Sequence, residues 1–167
     1  MTTDLSGPSR RKHITLVATA AAVFAVDLAT KITASAALAD RDIDLPGPLD
    51  LRLSHNPGVA FGMGNDTPTW LVLTLTGAVA AGIAVAAWRG LFASSIAAGV
   101  VVGGALANVA DRSQAGTVVD MLYTGWWPTF NVADVAIVCG AFALAATAWR
   151  APPEPASVTT AWSCTST

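Results

Sequence analysis

Two aspartates carry the clearest chemistry in this chain. Asp120 closes Val118-Val119-Asp120, and Asp134 closes Phe130-Asn131-Val132-Ala133-Asp134. A short aromatic segment lies between them, and a long apolar run follows the second. A carboxylate at membrane depth is costly, so an acid there marks a functional site by default. Two acids brought together can share a proton, one acting as base and the other as acid at a single bond. Such a pair suits water-mediated peptide hydrolysis with neither a metal nor a side-chain nucleophile, so no cofactor is expected. A plainer reading stays open beside it: Asp134 caps a helix, and Asp120 is a loop charge.

The elements that position these acids follow from composition. Charged residues make up 12% of the chain, against ~25% in soluble proteins. Apolar residues make up 53% and mean hydropathy is +0.55. Residues 69–88 and 90–110 carry no charge, nor do residues 135–149. Ile14 to Val26 begins a further run that Asp27 and Lys31 interrupt before it continues to Ala39. About 20 helical residues at ~1.5 Å each cross a ~30 Å hydrocarbon core. The expected fold is therefore an α-helical integral membrane protein with four transmembrane helices. The first run also imitates a secretory signal peptide, with Arg10-Arg11-Lys12 ahead of it and Ala37-Leu38-Ala39 behind. Asp27, Lys31 and its length favour a retained helix.

Orientation follows from the basic residues. With both termini inside, the cytoplasmic side carries Arg10, Arg11, Lys12, Arg89 and Arg150. The outer side keeps Arg41, Arg52 and Arg112 among many acids, in line with the positive-inside bias. Trp70, Trp126 and Trp127 then fall at the outer interface, and Trp88 and Trp149 at the inner one. The expected organisation is a cytoplasmic tail over 1–12 and a membrane domain over 13–150, with outer loops 40–68 and 113–130. A disordered cytoplasmic tail is expected over 151–167. In the first outer loop, Leu49, Leu51 and Leu53 alternate with polar residues, the period of a half-buried strand. A second strand is expected around Thr117-Val118-Val119, giving a small extracytoplasmic sheet over the helix ends.

A net charge of −2 and the lack of a basic stripe argue against a nucleic-acid partner. Cys139 and Cys164 imply no disulfide framework, and Cys139 is expected as a small packing residue. Polar groups instead converge on the outer layer: Asn56 from the first loop, Asn108, Asp111 and Arg112 from the third helix, Asp27 and Lys31 from the first. Each has an ordinary structural reading. Asp27 and Lys31 can pair at i, i+4, and Asn131-x-x-Asp134 fits a capping box. Asp111 and Arg112, adjacent on a helix, point to different faces and need not pair. A proton-coupled transporter also gathers acids, but along a path through the bilayer, whereas these cluster at one face. A four-span protein that binds a partner through its outer loop is a third reading.

Five segments in order carry a resemblance: Asp27-Leu28-Ala29-Thr30-Lys31, Asn56-Pro57-Gly58-Val59-Ala60-Phe61-Gly62, the stretch from Gly103 to Arg112, Val118-Val119-Asp120 and Phe130-Asn131-Val132-Ala133-Asp134. Together they resemble the motifs of lipoprotein signal peptidase (signal peptidase II), the bacterial aspartyl peptidase of prolipoproteins. The resemblance implies Asp120 and Asp134 as the catalytic pair. It implies Asn56, Asn108, Arg112 and Asn131 as substrate-binding residues, with Asp27, Lys31 and Asp111 in support. It further implies a four-helix fold with an extracytoplasmic β-cradle, in the bacterial cytoplasmic membrane with the site at the outer face. The implied partners are diacylglyceryl-modified prolipoproteins cut just before the lipidated cysteine, membrane lipids and globomycin-type inhibitors. A monomer is the expected unit. Leu28 stands where the family commonly has glutamine, Ala107 where it has glycine, and the stretch between the acids is shorter than in many relatives.

Overall fold

The computed structural model describes residues 8–57 and 68–150. Four helices and two strands follow in the order α1 (Pro8–Ala37), β1 (Asp50–Asn56), α2 (Thr69–Trp88), α3 (Ser95–Ala115), β2 (Val118–Tyr123) and α4 (Val132–Trp149). The two expected tails fall mostly outside the described residues, as does the glycine-rich stretch after Asn56. Residues 8–12, expected as tail, belong instead to α1. Proline is suited to a first helical turn, where its missing N–H would be unpaired anyway, so Pro8 fits a described helix that already includes the basic cluster.

Local chemistry sets the other boundaries. The Ser94 hydroxyl accepts the Ala97 N–H at 3.2 Å and so caps α3. At the far end Gly116 takes φ +71° and donates its N–H to Arg112 O at 3.0 Å, a left-handed cap that glycine adopts without strain. Asn131 caps α4 in a full capping box with Asp134. The short connection from α2 to α3 makes them antiparallel neighbours. At the opposite end of α2 from the sheet, the His13 ring stacks on Trp88 at 3.9 Å and reaches Trp88 O at 2.9 Å, joining the start of α1 to the end of α2.

Three helical segments, Ser9–Ala37, Thr69–Trp88 and Val132–Trp149, are long and apolar enough to cross a membrane. Their outward faces carry exposed Ile14, Val17, Ile32, Leu75, Val79, Val138 and Phe142. Apolar surface on that scale suits lipid rather than water. The third expected span is α3, 21 residues long. It is less apolar because Asn108, Asp111 and Arg112 occupy its end, and it packs against α1, α2 and α4. Small residues allow this close approach. A Cβ added at Gly103 would lie 2.5 Å from Ala20 O, and one at Gly104 would lie 2.7 Å from Ala133 O.

That second contact touches the site directly, since Ala133 precedes Asp134. Gly104→Ala is expected to force the start of α4 outward and cost about 1–3 kcal/mol, the usual penalty of overpacking. Gly82→Ala adds a Cβ with nothing within 4 Å and is expected to be neutral or slightly stabilising. Thermal unfolding of the purified variants in detergent tests the pair, and equal melting temperatures would refute the close-approach argument.

The expected sheet is present and small. Strands β1 and β2 pair antiparallel, with Leu51 opposite Leu122, Ser54 opposite Asp120 and Asn56 opposite Val118, and a bulge between Leu51 and Ser54. Single bridges Ile43–Leu51 and Leu122–Phe130 widen it at one row. Leu51 and Leu53 point the same way and pack with Ala34, Leu38 and Met121. The apolar side of the sheet thus rests on the end of α1. Its other consequence is register: the pairing carries Asn56 and Asp120 to the ends of α3 and α4.

Candidate active site

Each polar residue named from the sequence arrives on a defined element. Asp27 and Lys31 lie on α1, Asn56 ends β1, Asn108, Asp111 and Arg112 end α3, Asp120 sits in β2, and Asn131 and Asp134 open α4. The structure brings them into one cluster. Asp27, Lys31, Asn108, Arg112, Asp120 and Asn131 are buried, Asn131 completely. Burial on this scale is tolerable only where charges are paired and polar groups hydrogen-bond one another.

Asn131 ties the two acids together. Its side-chain amide donates to Asp120 Oδ1 at 2.7 Å and to Asn108 Oδ1 at 3.2 Å. Its carbonyl oxygen accepts the Asp134 N–H at 2.9 Å, and its own backbone N–H donates to Asp134 Oδ2 at 3.1 Å. Asn108 completes the link by donating to Asp134 Oδ1 at 2.8 Å. Asn56 reaches Asp120 Oδ2 from β1 at 3.3 Å. Capping box and carboxylate scaffold are therefore the same atoms, so the plainer reading of Asp134 as a helix cap and its functional reading hold together.

Behind this layer lies an ion cluster. Lys31 Nζ is 2.6 Å from Asp27 Oδ2, 2.8 Å from Asp111 Oδ2 and 2.9 Å from Asn108 Oδ1. The contact to Asn108 is a hydrogen bond, and those to Asp27 and Asp111 are ion pairs. Asp27 Oδ1 also accepts the Ala133 N–H at 2.7 Å, gripping the first turn of α4. Asp111 Oδ2 accepts the Val119 N–H at a longer 3.5 Å, beside Asp120. Asp111 and Arg112 do diverge as expected: the first pairs with Lys31, while the second faces a cleft.

That cleft has a volume of about 350 Å³ and is lined by Asn56, Asn108, Arg112, Asp120 and Asp134, with Thr76, Trp127, Phe130 and Val138 supplying much of its apolar wall. Val138 of that wall carries no signal in the sequence, because apolar residues of a membrane helix look alike whichever way they face. Cys139 corrects an expectation. It is an exposed, free thiol on α4 rather than a packing residue. It lines an apolar groove with Trp126, Trp127 and Val135 that adjoins the cleft at Asp134. The face of α4 that packs on α3 is instead the one carrying Gly140, whose added Cβ would meet Val101 at 2.6 Å.

Burial sets Asp120 apart from ordinary surface carboxylates. The Asp120 carboxyl is pushed up to about 6, first by burial and further by the charge of Asp134. The Asn131 hydrogen bond opposes that rise, with smaller help from Asn56 and Lys31. Asp134 has both oxygens engaged by N–H donors and lies in the first turn of a helix, where the macrodipole favours negative charge. Among the described residues no three His, Cys, Asp or Glu side chains converge as metal ligands. The arrangement can hold a proton on one acid while the other accepts one.

A sequence profile of the signal peptidase (SPase) II family matches residues 19–150, a span that includes all nine of these polar residues. The chain belongs to the signal peptidase II family. Lipoprotein signal peptidases of Rhodococcus jostii and Rhizorhabdus wittichii are each 40% identical to it. The first alignment covers 81% of this chain and 73% of the relative, and the second 82% and 88%. Two solved bacterial membrane enzymes share the fold, with TM-scores of 0.62 and 0.67 at 24% and 22% identity. They cover 84% and 83% of this chain and 93% and 94% of their own. This member of the signal peptidase II family is thus an integral membrane hydrolase of aspartic type.

Proposed function

We propose that the chain is a prolipoprotein signal peptidase whose Asp120 and Asp134 cut the peptide bond before a diacylglyceryl-modified cysteine. The observation that carries this reading is the joining of the two acids in one cleft by Asn131 and Asn108. In the reaction, the ionised acid removes a proton from a water whose oxygen attacks the scissile carbonyl carbon. The protonated acid donates to the carbonyl oxygen as it gains charge. Collapse returns that proton, and the base passes its own to the leaving amine, so the pair ends as it began. Asp134, with two N–H donors on its oxygens, suits the ionised role. Asp120, with a single close donor, suits the protonated one. Asn56 and Arg112 border the cleft and would hold the peptide backbone.

The same reading places α3 as the fourth span, the site at the outer face of the bacterial cytoplasmic membrane, and both termini inside. Acyl chains of the substrate then stay in lipid while the peptide reaches the cleft. The test is incubation of purified, detergent-solubilised protein with a diacylglyceryl-modified prolipoprotein, with and without globomycin. Release of signal peptide and a new lipidated N-terminal cysteine, both suppressed by globomycin, is expected. An intact sample that leaves the substrate whole would refute the proposal.

A pH prediction follows. With Asp120 near 6 and its proton required, kcat/KM falls about tenfold per pH unit above that value, because it reports the free enzyme. Bound substrate displaces water from the cleft, so kcat holds to higher pH. A kcat/KM that rises from pH 6 to 8 would refute the assignment of the proton to Asp120.

A further inference from the structure

The three contacts of Lys31 do more than neutralise Asp27 and Asp111. Asp27 grips the Ala133 N–H, one residue before Asp134. Asp111 contacts the Val119 N–H, one residue before Asp120. Asn108 bonds Asp134 itself and receives Asn131, which holds Asp120. The hydrogen bond and both ion pairs of one ammonium therefore end on groups that contact a proposed catalytic acid or the residue just before it. Its bond to Asn108 Oδ1 also settles which way that amide faces. With the oxygen turned to Lys31, the NH₂ must face Asp134 and can only donate to it.

We infer that Lys31 is a positioning residue for the proposed reaction, setting the placement of Asp120 and Asp134 through Asp27, Asp111 and Asn108. This rests on the reading of the two acids as the catalytic pair. The charged groups around the cluster are Asp27 on α1, Asp111 and Arg112 on α3, Asp120 on β2 and Asp134 on α4. Lys31 is 3% exposed, so water screens its charge little. A lysine is suited to this place because its whole charge sits on one atom, on which all three contacts converge. The planar fork of arginine keeps the charge but cannot direct donors to the same three points.

The test compares Lys31→Arg and Lys31→Met with wild type and Asp120→Asn on a diacylglyceryl-modified prolipoprotein, reading kcat, KM, pH profile and melting temperature. Lys31→Arg is expected to stay folded and lose about 100-fold in kcat with KM little changed, the scale of a small misplacement of reacting groups. Lys31→Met is expected to lose at least as much. Its pH profile is also expected to move upward as a whole, because a nearby cation that helps the pair release protons is gone. Wild-type kcat and pH profile in a folded Lys31→Arg would overturn the inference, showing that charge alone suffices. Where only one variant folds, its kcat decides. Loss of folding in both would also overturn it, making Lys31 a stability residue. Activity in Asp120→Asn, by contrast, would remove the catalytic pair and not the Lys31 geometry alone.

Discussion

Asp120→Asn and Asp134→Asn are each expected to reduce kcat/KM for prolipoprotein cleavage by about four orders of magnitude or more. That is the scale on which loss of a central catalytic group acts in other peptidases. The proposed pair needs one proton and one vacancy for a proton. Asparagine can offer neither a transferable proton nor a base. The substitutions are also mild in shape, which makes the loss interpretable. At position 120 an amide oxygen can keep the close Asn131 donor, and the new NH₂ then faces the Asn56 amide at its longer 3.3 Å.

Stability should move the other way at Asp120. Its folded carboxyl lies near 6, above its ordinary 3.8, so the folded state binds the extra proton between those values. Wild-type stability therefore declines as pH rises from about 4 to 6, through this group, and stays lower above that window. Asp120→Asn removes that decline. At pH 7 the inactive variant should melt no lower than wild type. At position 134 one of the two N–H donors now meets an NH₂, so a small loss of stability is expected there. Cleavage assays and melting curves on the same preparations decide the matter. Activity within tenfold of wild type in either variant would remove that acid from the proposed pair.

The sequence made some of this architecture legible and left other parts hidden, for physical reasons. Charge-free runs mark the membrane-crossing helices because the hydrocarbon core excludes ions whatever the fold. The alternation at Leu49, Leu51 and Leu53 marks β1, because one face of a strand packs and the other does not. The Asn131–Asp134 box and the Asp27–Lys31 pair are local in the chain, so spacing alone finds them. The links that assemble the site are not local. Asp27 meets Ala133 across 106 positions and Lys31 meets Asn108 across 77. No periodicity encodes such meetings. Orientation of the lipid-facing helices was hidden too. A helix apolar on all sides carries no amphipathic signal, so nothing in the sequence separates a packed Cys139 from the exposed one in the structure. The central position of α3 was written only in its small residues, Gly99, Gly103 and Gly104, each of which abuts a neighbouring helix.

Asn131→Ala is expected to harm both the fold and the reaction, and Asn131→Ser is expected to separate the two. The side chain is completely buried and works in two directions. Its oxygen caps α4 through the Asp134 N–H, while its NH₂ holds Asp120 and Asn108. Alanine removes both functions. Loss of the cap costs about 1 kcal/mol, and leaving Asp120 Oδ1 without its close donor adds a further penalty of similar order. Serine restores a capping oxygen, so melting temperature should recover most of the cap's share. A hydroxyl is too short to span the distance to Asp120 as well. Activity in Asn131→Ser should therefore stay about 100- to 1,000-fold down, the range seen when one preorganised donor is lost. The pH profile supplies an independent sign. Because the Asn131 bond draws the Asp120 carboxyl downward, its loss raises that group, and the alkaline limb of kcat/KM should move to higher pH in both variants. A stable Asn131→Ser with wild-type activity and an unmoved alkaline limb would reduce Asn131 to a helix cap and break the link through which one residue holds both acids.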